Sequence, residues 1–156
     1  MRTWADASVL IALEATGELR FLHETLGDVY VTEAVVAEIL TDRTTSALRE
    51  AVGSWIHVEK VRGDARRFRR LGLAKGEASL FLTPQGDALL LDDLAARRLA
   101  ESEGRTYTGL LGLLRSSART GAVSKSRALE ILNGVARAGF RMRSDLYEEI
   151  RAELER

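Results

Sequence analysis

Four carboxylates in this chain of 156 residues sit where they could do chemistry. Asp6 follows the strand-like run Thr3-Trp4-Ala5, and Asp92, with Asp93 beside it, follows the apolar run Ala88–Leu91. Ligands of parallel α/β sheets bind beyond the carboxyl ends of the strands, where both positions fall. Each could equally be the N-cap of the helix that follows, which stabilises a helix by about 1 kcal/mol. Glu38 and Glu77 are harder to explain as caps or solvated groups. Glu38 follows Ala34 and Val35 by four and three positions; Glu77 has Leu73 four residues before it and Leu80 and Phe81 three and four after. A carboxylate within an apolar stripe is costly unless something positive meets it, the ordinary resolutions being an arginine partner or an exposed edge. Glu33, Glu50, Glu59, Glu101 and Glu103 fit solvated faces.

Brought together, these acids would form a hard, oxygen-rich site suited to Mg²⁺ or Mn²⁺. Unshielded, they would repel one another and raise one another's pKa values. A divalent cation removes that conflict, lowers the pKa of a bound water, and stabilises the oxygen departing from a phosphodiester. Other chemistries are excluded by composition. There is no cysteine for thiolate zinc or nucleophilic catalysis, and only His23 and His57 for imidazole ligation; both histidines suit surface or interface roles.

The formal charge is zero, yet it is segregated: residues 1–64 carry −5, residues 65–144 carry +8 and residues 145–156 carry −3. All but three of the 23 cations are arginine, whose planar fork suits phosphate. The basic block, which includes Arg66, Arg67, Arg97, Arg98, Arg105, Arg115, Arg119 and Arg127, fits either a polyanionic partner or solvated helix faces.

The elements that must position these residues alternate. Strands are expected at Thr3–Ala5, Asp28–Val31, Trp55–Val58, Ala88–Leu91 and Arg105–Tyr107. Helices are expected through Val9–Leu13, at Glu18–Leu26, Glu33–Leu40 behind an N-cap at Thr32, Thr45–Val52, Asp64–Leu71 and Lys75–Leu82, and from Asp92 to about Glu103. A further helix starts at Thr108-Gly109, with Thr108 as its expected cap. Strands separated by helices imply parallel pairing, hence a three-layer α/β/α sandwich around a central parallel sheet of about five strands. From residue 124 the strands stop. Leu129, Ile131, Leu132 and Val135, then Leu146, Tyr147, Ile150 and Leu154, mark a terminal helical pair that packs on the sandwich or on a partner subunit. Residues 1–156 read as one domain. Trp4 and Trp55 lie in strand-like runs and read as core or sheet-edge residues. No run approaches a membrane span and no signal peptide is evident, so a cytoplasmic location is expected.

The motifs resemble those of PIN-domain ribonucleases over essentially the whole chain. Ala5-Asp6-Ala7-Ser8 and its apolar helix resemble the family's first acidic motif, and Val31-Thr32-Glu33-Ala34-Val35-Val36-Ala37-Glu38 the second, which carries the metal-site glutamate onto Glu38. Gly76-Glu77-Ala78-Ser79 and Leu90-Leu91-Asp92-Asp93 resemble the third and fourth. Thr108-Gly109-Leu110-Leu111-Gly112 and the tail Gly139-Phe140-Arg141 with Leu146-Tyr147 are similar to a compact prokaryotic branch. Position 32 is threonine where many relatives have proline, and both suit a helix start.

The resemblance implies a metal-dependent endoribonuclease acting on single-stranded RNA, with VapC-like members serving as toxins that are commonly dimeric and inhibited by a cognate antitoxin. Asp6, Glu38, Glu77 and Asp92 would then hold Mg²⁺ or Mn²⁺, with Asp93 adjacent. Ser8 and Thr108 would support the site, Thr108 by touching a phosphate if it does not merely cap its helix. Arg97, Arg98 and Arg115 are the candidates for the RNA backbone. The rival is a non-catalytic RNA-binding or protein-interaction module on the same fold. A haloacid-dehalogenase-type phosphatase is disfavoured, since it needs Asp-x-Asp where this chain has Asp6-Ala7-Ser8.

Overall fold

Short apolar runs alternate with capped helices along the whole computed structural model, which describes residues Met1–Arg156. The first half contains β1 (Thr3–Ala5), α1 (Ala7–Ala15), α2 (Arg20–Leu26), β2 (Val29–Thr32), α3 (Glu33–Ile39), α4 (Ser46–Ala51) and β3 (Ile56–Glu59). The second contains α5 (Arg66–Arg69), α6 (Lys75–Leu80), β4 (Ala88–Leu90), α7 (Leu94–Ser102), β5 (Tyr107–Thr108), α8 (Leu110–Thr120), α9 (Lys125–Arg137) and α10 (Ser144–Glu155). Side-chain oxygens mark several helix starts. Thr32 accepts the Val35 N–H at 3.1 Å and Ser124 that of Arg127 at 3.1 Å, each satisfying a donor the helix leaves free.

The sheet is five-stranded and entirely parallel, in the order β3-β2-β1-β4-β5. It is the central layer of an α/β/α sandwich, and its inner strands β1, β2 and β4 are mostly apolar because helices cover both faces. Trp4, Val31, Leu89 and Leu90 are fully enclosed beside Leu10, Leu13, Phe21, Leu110 and Leu114, all in one continuous core. Trp4 also donates its indole N–H to Asp87 at 3.0 Å. Trp55 is partly buried and stacked on His23.

Strand order sets the location of the site. The chain runs outward from β1 through β2 to β3, then returns to the other side of β1 for β4 and β5. The direction reverses between β1 and β4, a topological switch point where a crevice opens at the carboxyl ends. Ala5 pairs with Leu90 there, and the Asp6 N–H donates to the Leu90 carbonyl at 3.0 Å.

Three local expectations need correction. The fifth strand begins at Tyr107, not Arg105, because the Arg105 N–H still closes the end of α7, donating to the Ala100 carbonyl at 2.8 Å, while its buried guanidinium reaches Thr83 and the carbonyls of Pro84 and Asp87. Thr108 lies in β5 and does not cap α8; Gly109 occupies the cap position without a side-chain acceptor. The helix expected at Asp64–Leu71 is the single turn α5, preceded by a tight Asp64–Arg66 pair.

The terminal pair folds back within the chain, with α9 against α8 and α1 and α10 against α9 and α8. Tyr147 donates to Asn133 at 3.0 Å, and Arg115 and Arg119 on α8 pair with Glu149 and Glu153 on α10. No helix is long and apolar enough to cross a membrane. Leu10, fully enclosed beneath the sheet, tests the packing: Leu10→Ala should cost about 2–5 kcal/mol in urea denaturation, and a loss under about 0.5 kcal/mol, typical of surface sites, would contradict its place in the core.

Candidate active site

Each acid at the crevice is held by a backbone or hydroxyl donor from a neighbouring turn. Asp6, only 4% exposed, caps α1: it accepts the Ser8 hydroxyl at 2.8 Å and the Ser8 N–H at 3.4 Å. Asp92 leaves β4 and turns toward α8, where both its oxygens accept the Leu110 N–H at 3.1 and 3.2 Å. It provides the acceptor that Thr108 does not. Asp93 caps α7 through the Ala96 N–H at 3.0 Å. Glu38, near the end of α3, accepts the Gly76 N–H at 3.0 Å, and Glu77 reaches back to the Ala74 N–H at 3.1 Å at the start of α6. The capping roles of Asp6 and Asp93 coexist with their position in the crevice.

These five carboxylates line one cleft of about 450 Å³, together with Ser8 and the connection Gly139-Phe140-Arg141 between α9 and α10. Thr108 is outside it, its hydroxyl on the Gly109 carbonyl at 3.3 Å. The arginines diverge. Arg97 lies near Asp92, Arg98 is exposed on α7 outside the cleft, and Arg115 is engaged by Glu149 and Glu153 at 2.9 and 3.2 Å.

Two glycines make the close approaches possible. A Cβ on Gly76 would stand 2.5 Å from a Glu38 oxygen, and one on Gly109 would stand 2.4 Å from Asp92 Oδ1 and 3.0 Å from Arg97 Nη2. Any larger residue would push the carboxylate away from the backbone beside it. Neither contact is evident in the sequence, where the only signals are a glycine just before an acid and one just before a helix. The Gly139–Arg141 wall was likewise not assigned to the site from sequence, since it lies beyond the last acid by nearly fifty residues.

Electrostatics in the cleft are unfavourable to its own charges. Burial raises the Asp6 carboxyl above its usual range, against hydrogen bonds from Ser8 and with help from the charge of Glu38. Burial lifts Asp92 to about 6, opposed by the Leu110 N–H and Arg97. Glu77 reaches about 7, from burial and from the nearby Asp6, Asp93 and Glu38. The donors are all hard oxygens and their mutual repulsion calls for positive charge, so their chemistry fits a divalent cation. No three acidic or histidine side chains stand closely enough to hold one as arranged. Gathering around an ion would require the side chains to shift.

A family model described as a PIN domain (DUF3368) matches residues 3–156. The chain belongs to the PIN-domain family. Neither the curated proteins nor the solved structures hold a significant match. PIN domains are generally nucleases and generally use divalent metals.

Two outcomes follow for this PIN domain. Gly109 has an ordinary extended backbone, φ −107°, so Gly109→Ala should leave the fold intact while displacing Asp92. Mn²⁺ affinity by calorimetry should fall about 10-fold or more; an unchanged affinity would show that Asp92 needs no such seat. The raised carboxyls also oppose folding once ionised. Without divalent cations, their contribution to stability is present below the ordinary values of 3.8 and 4.5 and is lost as pH rises toward about 7. The thermal midpoint should decline across that window, less steeply in Glu77→Gln, and identical profiles for the two proteins would contradict the crowding.

Proposed function

We propose that the chain is a Mg²⁺- or Mn²⁺-dependent endoribonuclease that hydrolyses phosphodiester bonds of single-stranded RNA. The observation that carries this reading is the convergence of Asp6, Glu38, Glu77, Asp92 and Asp93, from four separated parts of the chain, on one cleft at the switch point. Asp6, Glu38, Glu77 and Asp92 are the residues that would hold the cation, with Asp93 adjacent. When bound, such an ion supplies charge neutralisation, a more acidic water and stabilisation of the leaving oxygen.

The chain's own groups provide orientation. Ser8 fixes both oxygens of Asp6, the α8 N-terminus fixes Asp92, and Gly76 seats Glu38. Arg97 and Arg141 bring positive charge beside an otherwise acidic crevice, where the RNA backbone has to pass. In this reading the protein acts as the VapC-like toxin of a toxin–antitoxin pair, as a homodimer, with a small cognate antitoxin as its inhibitor. Support for that role is the motif resemblance and the family membership.

One observation favours a second reading, a non-catalytic RNA-binding or protein-interaction module: the acids are not gathered into a ready-made metal group. Cleavage separates the two. Purified protein should cut single-stranded RNA with Mg²⁺ or Mn²⁺ and stop in EDTA. Asp6→Asn should lower the rate by about two orders of magnitude or more while retaining the circular dichroism of the parent. RNA binding without metal-dependent cleavage would establish the second reading.

A further inference from the structure

The cleft continues past its carboxylates. Asp92 and Arg141 also line a second, smaller cavity of about 130 Å³ between α7, α8 and the α9–α10 connection, with Leu94, Arg97, Leu111 and Met142 among its other walls. Charge reverses across this shared boundary. Five carboxylates and one arginine line the first cavity, whereas the second has three arginines, the third being Arg143, and one carboxylate. Arg143 is neutralised by Asp145 at 2.7 Å. Arg97 and Arg141 form no salt bridge; Arg97 lies 5.7 Å from the centre of the Tyr107 ring and near Asp92, and Arg141 is exposed. A guanidinium has five donors and no acceptor, so the accessible nitrogens of both arginines suit an acceptor-rich ligand.

Those features describe an acceptor-rich ligand with an apolar face. At about 130 Å³ the space is well below the roughly 300–1,000 Å³ of whole small-molecule sites, which favours one ring system over an entire ligand. Leu94, 61% exposed, and the neighbouring Leu111 and Met142 offer the apolar contact. Single-stranded nucleic acids present this combination, with bases that pack on apolar or guanidinium surfaces and phosphates that suit arginine. A cationic peptide would meet the same charge as its own.

We propose that this cavity is a nucleotide subsite: it takes the base adjoining the bond held at the carboxylates, and Arg97 and Arg141 bind the flanking phosphates. The inference rests on the nuclease reading, and it adds a direction to the strand, from the acidic crevice over Arg141 toward α7. Arg141 is exposed on a connection, so its replacement should leave the fold intact, which circular dichroism checks.

The test uses the full chain, a labelled short single-stranded RNA and two readouts. In EDTA, anisotropy should show Arg141→Ala binding about 10-fold more weakly, with the salt slope reduced by about one. Arg141→Lys should recover part of the affinity. Arg62→Ala, an exposed arginine outside both cavities, should behave as wild type. With Mn²⁺, Arg141→Ala should raise KM more than it lowers kcat, and an abasic residue beside the cleaved bond should weaken the wild type several-fold. Equal loss in Arg141→Ala and Arg62→Ala, or no wild-type binding, would overturn the subsite, as would indifference to abasic residues at every position. If RNA binding is unchanged while a protein partner is lost from Arg141→Ala, the cavity belongs to a protein segment instead. Absence of cleavage alone would overturn the nuclease reading and leave the binding arm to judge the subsite.

Discussion

Burial of carboxylates at the carboxyl ends of β1 and β4, sharpened by their mutual repulsion, is the constraint to which the rest of the site answers. Asp6 is nearly buried, Asp92 is lifted to about 6 and Glu77 to about 7. A fold gains nothing from burying like charges together. The chain limits the difficulty by giving each acid a backbone or hydroxyl donor, from Ser8, Ala74, Gly76, Ala96 and Leu110. Those donors fix geometry but do not cancel charge. The cancellation is left to something that is not part of the polypeptide, and a hard divalent cation meets that need.

The scaffold explains why the conflict occurs at this place. A parallel sheet whose order reverses beside β1 leaves a crevice that no crossover helix fills. Two of the acids leave strands directly into it. Asp93 follows Asp92, and Glu38 and Glu77 arrive on α3 and α6, which pack on each other, with the buried Thr32 and Ser79 hydroxyls 2.7 Å apart between their neighbourhoods. Gly76 lets those helices approach until the backbone of one meets the carboxylate of the other. The α9–α10 connection then closes the far side of the cleft.

Much of this was legible in the sequence, because it rests on local signals. Apolar runs bounded by Asp6, Thr32 and Asp92 marked the strands and their exits, and the alternation of strand and helix required a parallel sheet. The acids at positions 38 and 77 stood out because their stripes were otherwise apolar, yet Glu38 is exposed at the edge of its helix and Glu77 caps the start of α6, so both ordinary explanations hold alongside their place in the cleft. What was hidden depends on contacts between distant segments. Thr108 looked like a cap until Asp92, sixteen residues earlier, took the Leu110 N–H. The basic block fitted a polyanion surface and solvated helix faces equally, and in the fold Arg66, Arg67, Arg115, Arg119 and Arg127 each meet an acid of this chain while Arg105 is buried among carbonyls. Composition counts charges without showing which are already paired. The arginines near the cleft that form no salt bridge are Arg97, which faces Asp92 and the Tyr107 ring, and Arg141, and only the fold distinguishes them from the paired ones.

The most direct measurement of the central claim is the anomalous scattering of a crystal soaked in Mn²⁺. Metal density should stand within coordination distance of Asp6 and Asp92, with Glu38 or Glu77 drawn toward it from their present backbone donors. Density elsewhere on the surface, with the cleft acids unmoved and protonated, would contradict the claim.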